Sequence, residues 1–454
     1  MEFEMLRLFI LLLAAPLFFA FVTTTYAADN SKIFPFPVNK IVLDNGLTII
    51  SIPYESPGIV AYYTVVRTGS RNEVEEGKSG FAHFFEHMMF RGTEKYSTQA
   101  YNDIVKKIGS DANAFTTDDW TCYHLVASSG ALETMFDIES DRFKNLQYTV
   151  DDFKTEAGAI LGEYNKNYSN PIMTMFEKLQ DAAYTRHTYK HTTMGFLKDI
   201  QDMPNQYEYS LQFFDRYYRP GNCIVVIVGD FEQKKVESLA KKYYSDWKRG
   251  NSNVEIPQEP PQTEEKIISL PWKSRTLPML MLGYHGPAFS DKEIDMPTLD
   301  VLSQLYFSES SPLFQKLVVE EQLVEFVDGS AQDQRDPGMF TILTRIKDKT
   351  NIDKVRDEIY KTLEEAKSTP VSLERLQNVK LHLKYSFAMR MNTADAIALT
   401  LGNYLQLTGD VDFVNRVYQL YENVSAEDIM RIAKKYFTKE NRTVLTLTQE
   451  EEQK

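Results

Sequence analysis

His83, Glu86 and His87 stand in the order H-x-x-E-H within Gly80-Phe-Ala-His-Phe-Phe-Glu-His-Met-Met-Phe-Arg-Gly-Thr93. The apolar residues around them recur at helical spacing, and a period of 3.6 puts His83 and His87 one turn apart on one face. Two imidazoles so placed can reach one ion, and zinc suits two imidazoles plus a carboxylate with a fourth position for water. Glu86, next to His87 in the chain, can stand beside that ion without binding it. A carboxylate there takes the proton of a water whose pKa the ion has lowered, which is the chemistry of carbonyl hydrolysis. The competing reading is a buried amphipathic helix with two incidental histidines, and a third ligand elsewhere decides between them.

A helix expected over Val150 to Asn167 supplies that ligand. Asp151 and Asp152 suit the positive end of its dipole. Glu156 and Glu163, seven apart, share a face, and Glu163 is the candidate third ligand. Without the histidine motif these glutamates would read as a solvated acidic face. His187 and His191 are also four apart, but they lie in a stretch without apolar periodicity and with no carboxylate between them. They read as loop residues. His124 alternates with Cys122 along a strand and reads as a histidine without metal, while Cys122 and Cys223 read as buried free thiols.

The elements that must position these residues are spread over 454 residues with 43% hydrophobic and 25% charged content, the composition of a globular protein. A net charge of -14 argues against nucleic acid and against anionic membrane surfaces as partners. Residues 1–28 read as an export signal: Arg7, an apolar run from Leu8 to Val22 too short to span a membrane, then Thr23-Thr-Thr-Tyr-Ala-Ala28. The expected location is periplasmic or secreted, with no stable membrane anchor unless the signal is retained.

Strands are expected over Lys40 to Leu43, Leu47 to Ile52 and Ile59 to Val66, the first two joined by an Asp44-Asn-Gly46 turn. A helix is expected over Thr98 to Ile108, then a polar loop from Ser110 running into a strand near Leu125. After a buried strand over Cys223 to Asp230 and a helix over Phe231 to Trp247, residues 251–265 read as a polar, Pro-rich linker. The pattern then restarts with strands, a helix over Met296 to Phe307, and two long helices over Asp353 to Ser368 and Leu373 to Leu407. The division expected is 29–250 for a metal-bearing half and 266–454 for a second half without H-x-x-E-H, as an internal duplication leaves it.

With the motif and Glu163 in place, 76 residues after His87, the chain resembles the M16 family of zinc peptidases, the insulinase, pitrilysin and mitochondrial processing peptidase group. It is most similar to the short bacterial members, and H-x-x-E-H is the inverzincin order. Asp111-Ala-Asn-Ala-Phe-Thr116, Thr193-Met-Gly195 and Tyr217-Tyr-Arg-Pro-Gly-Asn222 match further landmarks of that family. The resemblance implies an α+β fold of two similar halves, each a mostly antiparallel sheet backed by helices, with two such chains facing across a chamber. It implies Zn2+ held by His83, His87 and Glu163, Glu86 as general base, and Glu156 supporting the site. Asn113 and Ala114 are expected beside an edge strand that pairs with the backbone of an extended peptide substrate.

One departure stands out. Val318 and Glu325 occupy the places where self-sufficient members carry an Arg and a Tyr that hold substrate near the metal. Val donates no hydrogen bond, and a carboxylate repels a carbonyl oxygen or an oxyanion. The expectation is an exported zinc metalloendopeptidase working as the zinc-bearing subunit of a heterodimer whose related partner supplies the Arg-Tyr pair, with a homodimer as runner-up. The alternative is a non-catalytic scaffold subunit, which the intact ligand set opposes.

Overall fold

A computed structural model of the chain describes residues 32–450. The export-signal reading of residues 1–28 lies outside them. Strands β1 (Asn39–Val42), β2 (Thr48–Pro53), β3 (Ile59–Val66), β4 (Asp111–Thr116), β5 (Thr121–Ser128) and β6 (Cys223–Gly229) form one sheet in the order β1-β2-β6-β3-β5-β4. β2 and β6 run parallel, and the other neighbours are antiparallel. β7 (Lys266–Trp272), β8 (Met279–His285), β9 (Val324–Ala331), β10 (Met339–Ile346) and β11 (Arg442–Gln449) form the second sheet in the order β7-β11-β8-β10-β9. There β7 and β11 run parallel and the rest antiparallel.

Laid over one another, β2 to β6 and β7 to β11 have the same order and the same directions. The internal duplication is therefore written in the topology. A side-chain device is duplicated as well. Asn222 and Asn441, each just ahead of its sheet's closing strand, donate through Nδ2 to the carbonyl five residues back, Tyr217 at 2.9 Å and Tyr436 at 2.8 Å.

Helices α1 (Phe81–Met88), α2 (Thr98–Lys107), α3 (Leu132–Asn145), α4 (Val150–Asn167) and α5 (Pro171–Ala183) follow the first strands. One face of the first sheet packs Ile49, Val60 and Tyr62 against Phe85 of α1, Phe136 of α3 and Phe213. Its other face is covered by a helix from the far half of the chain, Ala394–Thr408, whose Leu401 and Leu405 join the cluster that includes Val65, Trp120 and Val226. In return Met175 and Leu179 of α5 cover Met279, Met281, Leu445 and Leu447 of the second sheet. Each sheet thus borrows a helix from the other half, and neither could bury both faces alone.

Two expectations change. The polar stretch after Ser110 is not a loop: Asp111 to Thr116 pairs with β5 over its whole length, and that pairing overrides the low strand propensity of Asp111 and Asn113. The helix expected from Leu373 to Leu407 is two, Leu373–Arg390 and Ala394–Thr408. Thr393 is extended (φ -138°, ψ 159°) and accepts the Ala396 N–H at 3.1 Å, so it caps the second helix rather than continuing the first. Two further helices, Phe413–Asn423 and Ala426–Tyr436, precede β11.

The seam between the halves is held by ions as well as by apolar packing. Asp336, between β9 and β10, accepts from Arg71 Nε at 2.6 Å and pairs with His187 Nε2 at 2.9 Å. Burial alone would raise its carboxyl, but the bonds to His187 and Arg71 outweigh burial and hold it well below the usual carboxylate range. A carboxylate depressed in the folded state stabilises above its unfolded pKa, about 3.9, and loses that contribution as pH falls through the folded value. Asp336→Asn is expected to lower stability by roughly 1–3 kcal/mol at neutral pH. In thermal melts the Tm gap to the parent should hold from about pH 7 to 5 and close below about pH 4.

Candidate active site

α1 is fixed by one apolar face and one buried carboxylate. Phe81, Phe84, Phe85 and Met88 are buried, and Phe85 stacks on Phe213 with ring centroids 5.3 Å apart. Glu73 accepts the N–H groups of Gly80 and Ala82, both at 2.7 Å, and so closes the helix's positive end. Gly80 sits at φ 93°, where a Cβ would strike the Ile200 side chain at 2.4 Å. Gly195 (φ 77°) packs so closely that its own Cβ would lie 2.8 Å from the Gly80 nitrogen. The segment Thr193-Met-Gly195 is therefore the buttress under the start of α1.

With its apolar face held, α1 presents His83 and His87 to α4. Glu163 Oε2 lies 3.7 Å from His83 Nε2 and 3.4 Å from His87 Nε2, and the three donor atoms fall within 4.8 Å of one another. Tetrahedral zinc, with bonds of about 2.0–2.1 Å, holds its ligand atoms roughly 3.3 Å apart, so these side chains fit the ion with little movement. Burial, reinforced by the nearby His87, pushes the His83 imidazole down to about 4, so it is neutral at pH 7 and keeps a lone pair to donate. Its Nδ1 is buried without a hydrogen-bond partner.

His87 is held more firmly. Its Nδ1 meets Glu156 Oε1 at 2.8 Å, and the other oxygen of Glu156 accepts a hydrogen bond from Arg91 Nε and pairs with the same guanidinium through Nη2. Burial would raise the Glu156 carboxyl, but His87 and Arg91 outweigh it, and the group is held low and ionised. Burial would likewise lower His87, and the Glu156 bond reverses this and raises it. With Nδ1 engaged by Glu156, Nε2 is the ring nitrogen turned to Glu163 and left to a metal.

Glu86 leaves the helix between the two histidines and accepts the Thr116 hydroxyl at 2.7 Å. Burial raises its carboxyl above the ordinary range, and the Thr116 bond moderates the rise. A carboxylate raised in this way is a better proton acceptor near neutral pH. Thr116 ends β4, the edge strand of its sheet. Asn113 and Ala114 lie on that strand rather than beside it, and with Glu86, His87, Arg91 and Glu156 they line one open cleft. The Asn113 side chain accepts the Ala114 N–H at 2.9 Å, occupying a donor that an added strand would use.

The other histidines stay apart from this cluster. His124 stacks on Tyr63 at 4.9 Å, His187 is engaged by Asp336, and His191 Nδ1 faces the Thr192 carbonyl at 3.1 Å. Cys122 and Cys223 are both buried and free. Among the described residues His83, His87 and Glu163 are the one group of three or more His, Cys, Asp and Glu residues placed to hold a metal. Sequence reasoning assigned no role to Arg91, Thr116 or Glu73. Arg91 stands four residues after His87, a helical spacing that could have marked it. Thr116 carried no such sign, since its partner is 30 residues away.

Two family descriptions match the chain in tandem: "Insulinase (Peptidase family M16)" over residues 52–196 and "Peptidase M16 inactive domain" over residues 206–383. The chain belongs to peptidase family M16. Within that family it is 28% identical to the zinc protease PqqE of Helicobacter pylori, over 90% of this chain and 92% of that one. The crystal structure of a protease from Helicobacter pylori superposes with a TM-score of 0.86 at 27% identity, covering 91% of this chain and 99% of that chain. The periplasmic protease PqqL from Escherichia coli shares the fold, with a TM-score of 0.74 at 17% identity. There the match covers 91% of this chain and 48% of the longer PqqL chain. The M16 match to the motif-free part carries the word inactive, in keeping with a second half that has no H-x-x-E-H.

Metal analysis of purified variants tests the assignments in this M16 cluster. Glu163→Gln should weaken zinc binding by at least about 100-fold, and Glu156→Gln by roughly 10–100-fold, because it acts through His87. Glu86→Gln should bind zinc as the parent does. Loss of zinc in Glu86→Gln would make that residue a ligand and not a base.

Proposed function

We propose that this M16 chain is an exported zinc endopeptidase that hydrolyses extended peptides in a closed chamber, and that it is the zinc-bearing half of a heterodimer. The observation that carries the reading is the convergence of His83, His87 and Glu163 within 4.8 Å, with Glu86 beside them and held by a different partner. A zinc ion bound there supplies Lewis acidity to the carbonyl and to the attacking water. Glu86 takes the proton of that water and returns it to the departing amine. Glu156 and Arg91 keep the His87 ring from turning. β4 offers its edge to the backbone of an extended peptide, which displaces the Asn113 side chain from the Ala114 N–H and sets the scissile bond beside Glu86 by strand addition.

The heterodimer rests on what the second half lacks. Val318 is a partly buried apolar side chain in the π-helical segment Gln315–Glu320, and Glu325 on β9 faces Arg345 at 3.2 Å. Neither donates a hydrogen bond to a substrate oxygen. A related chain with an Arg-Tyr pair would complete the site, whereas a homodimer would have to use other residues. Export is supported by the layout of residues 1–28, and the zinc chemistry by the name zinc protease that its relatives carry. A scaffold subunit would have no need of all three ligands and the base.

The test is cleavage of unstructured peptides by the purified chain with its zinc content measured, products read by mass spectrometry. Glu86→Gln serves as the blank and is expected to lower kcat/KM by about 10²–10⁴-fold. The expected result is a zinc-loaded chain that stays idle until a related chain with an Arg-Tyr pair is added. Cleavage by the chain alone would end the heterodimer proposal, and silence with the partner present would favour the scaffold.

A further inference from the structure

The duplicated topology gives the gap between α1 and α4 a counterpart. The helix Asp295–Phe307 follows β8 as α1 follows β3, and Leu373–Arg390 is the second helix after β10 as α4 is the second after β5. Between those two helices of the second half lies a cavity of about 540 Å³, within the range of ligand sites. Asp300 and Gln304 enter it from the first helix at the four-residue spacing that His83 and His87 have on α1. His382 and Arg390 enter from the other helix, and Asp333 from the connection between β9 and β10. Tyr404, Tyr418 and Tyr421 form an aromatic wall.

This is not a second metal centre, because Asp300, Asp333 and His382 do not come close enough together to hold one ion. The two carboxylates are nonetheless poorly compensated. Asp300 accepts one hydrogen bond, from the Tyr421 hydroxyl, and Asp333 makes no hydrogen bond or ion pair among the described residues. Burial pushes Asp300 up to about 6, and burial together with the charge of Asp300 pushes Asp333 up. Arg390 acts on Asp333 in the opposite sense without closing to an ion pair. Two carboxylates against tyrosine rings fit a cationic group, which gains from the charges and from the ring faces. Met389, which lines the cavity, is 73% exposed, and it ends a stripe with Tyr385 at 62% and Leu381 at 48%, four residues apart on one helix.

We propose that this cavity is a second peptide-binding site, one that takes the lysine or arginine side chain of a peptide whose neighbouring residues are apolar. The basic head group enters between Asp300 and Asp333 under the tyrosines, and the flanking residues lie on Met389 and Tyr385. The net charge of -14 favours the approach of such a peptide. The site does not depend on the zinc chemistry, so it stands or falls separately from the peptidase reading.

The experiment uses the full chain carrying Glu86→Gln, labelled at the methionine methyl groups, with the Met389 signal assigned through Met389→Leu. The probe is acetyl-Leu-Arg-Leu-amide, and the control is the same tripeptide with neutral citrulline for arginine. The arginine peptide should shift the Met389 methyl resonance saturably, with at least about tenfold tighter binding than the citrulline peptide, as a desolvated charge pair requires. Asp333→Asn, and separately Asp300→Asn, should abolish that preference while leaving the melting temperature unreduced, since neither carboxyl has an ion-pair partner among the described residues to lose. An unmoved Met389 signal, an equal shift from the citrulline peptide, or an undiminished preference in the two folded variants would each overturn the proposal.

Discussion

The site hangs on one buried carboxylate. Glu156, 4% exposed, receives His87 on one oxygen and Arg91 on the other. A charge buried there would be costly alone, and the two donors are what make it tolerable. In exchange the carboxylate sets the tautomer and tilt of His87, and it ties α4 to α1 and to the turn that follows α1. Glu163, seven residues further along α4, is carried to the histidines by that tie. His83 has no such support at Nδ1, and the carboxylate near its ring is Glu163, 3.7 Å from Nε2.

A second constraint acts at longer range. Because α5 covers the second sheet and Ala394–Thr408 covers the first, the two halves share their cores. Separating them would expose two apolar faces at once and break the Asp336 cluster with Arg71 and His187. The seam is also pinned by the strap ahead of β7, where Glu259 accepts the N–H groups of Thr185, Arg186 and His187 between 2.7 and 2.9 Å. A chain built this way keeps the cluster of His83, His87 and Glu163 and the motif-free half in fixed register. That register matters if the second half, or its equivalent in a partner, faces the substrate.

Duplication gave one backbone arrangement twice, and the side chains then diverged. The gap between α1 and α4 holds two imidazoles and a carboxylate within reach of one ion. Its counterpart holds two carboxylates, a histidine and an arginine spaced too widely for an ion but around a larger void. The fold sets where a site can be, and residue identity sets what it does.

What the sequence determined by itself were the features governed by short range. H-x-x-E-H lies on a helix because its apolar neighbours repeat at 3.6, and α4 begins at Val150 because Thr149 and Asp152 cap each other across three residues. Given two helices, spacing alone put His83 and His87 on one face and Glu156 and Glu163 on another. Tertiary structure decided the rest. β4 exists because β5 pairs with it, although its own Asp and Asn argue for a loop. Thr116 meets Glu86 and Asp336 meets Arg71 across 30 and 265 residues, distances over which no local pattern carries information. The exchange of helices between halves follows from which sheet face was left bare, and a bare face is a property of the folded chain alone.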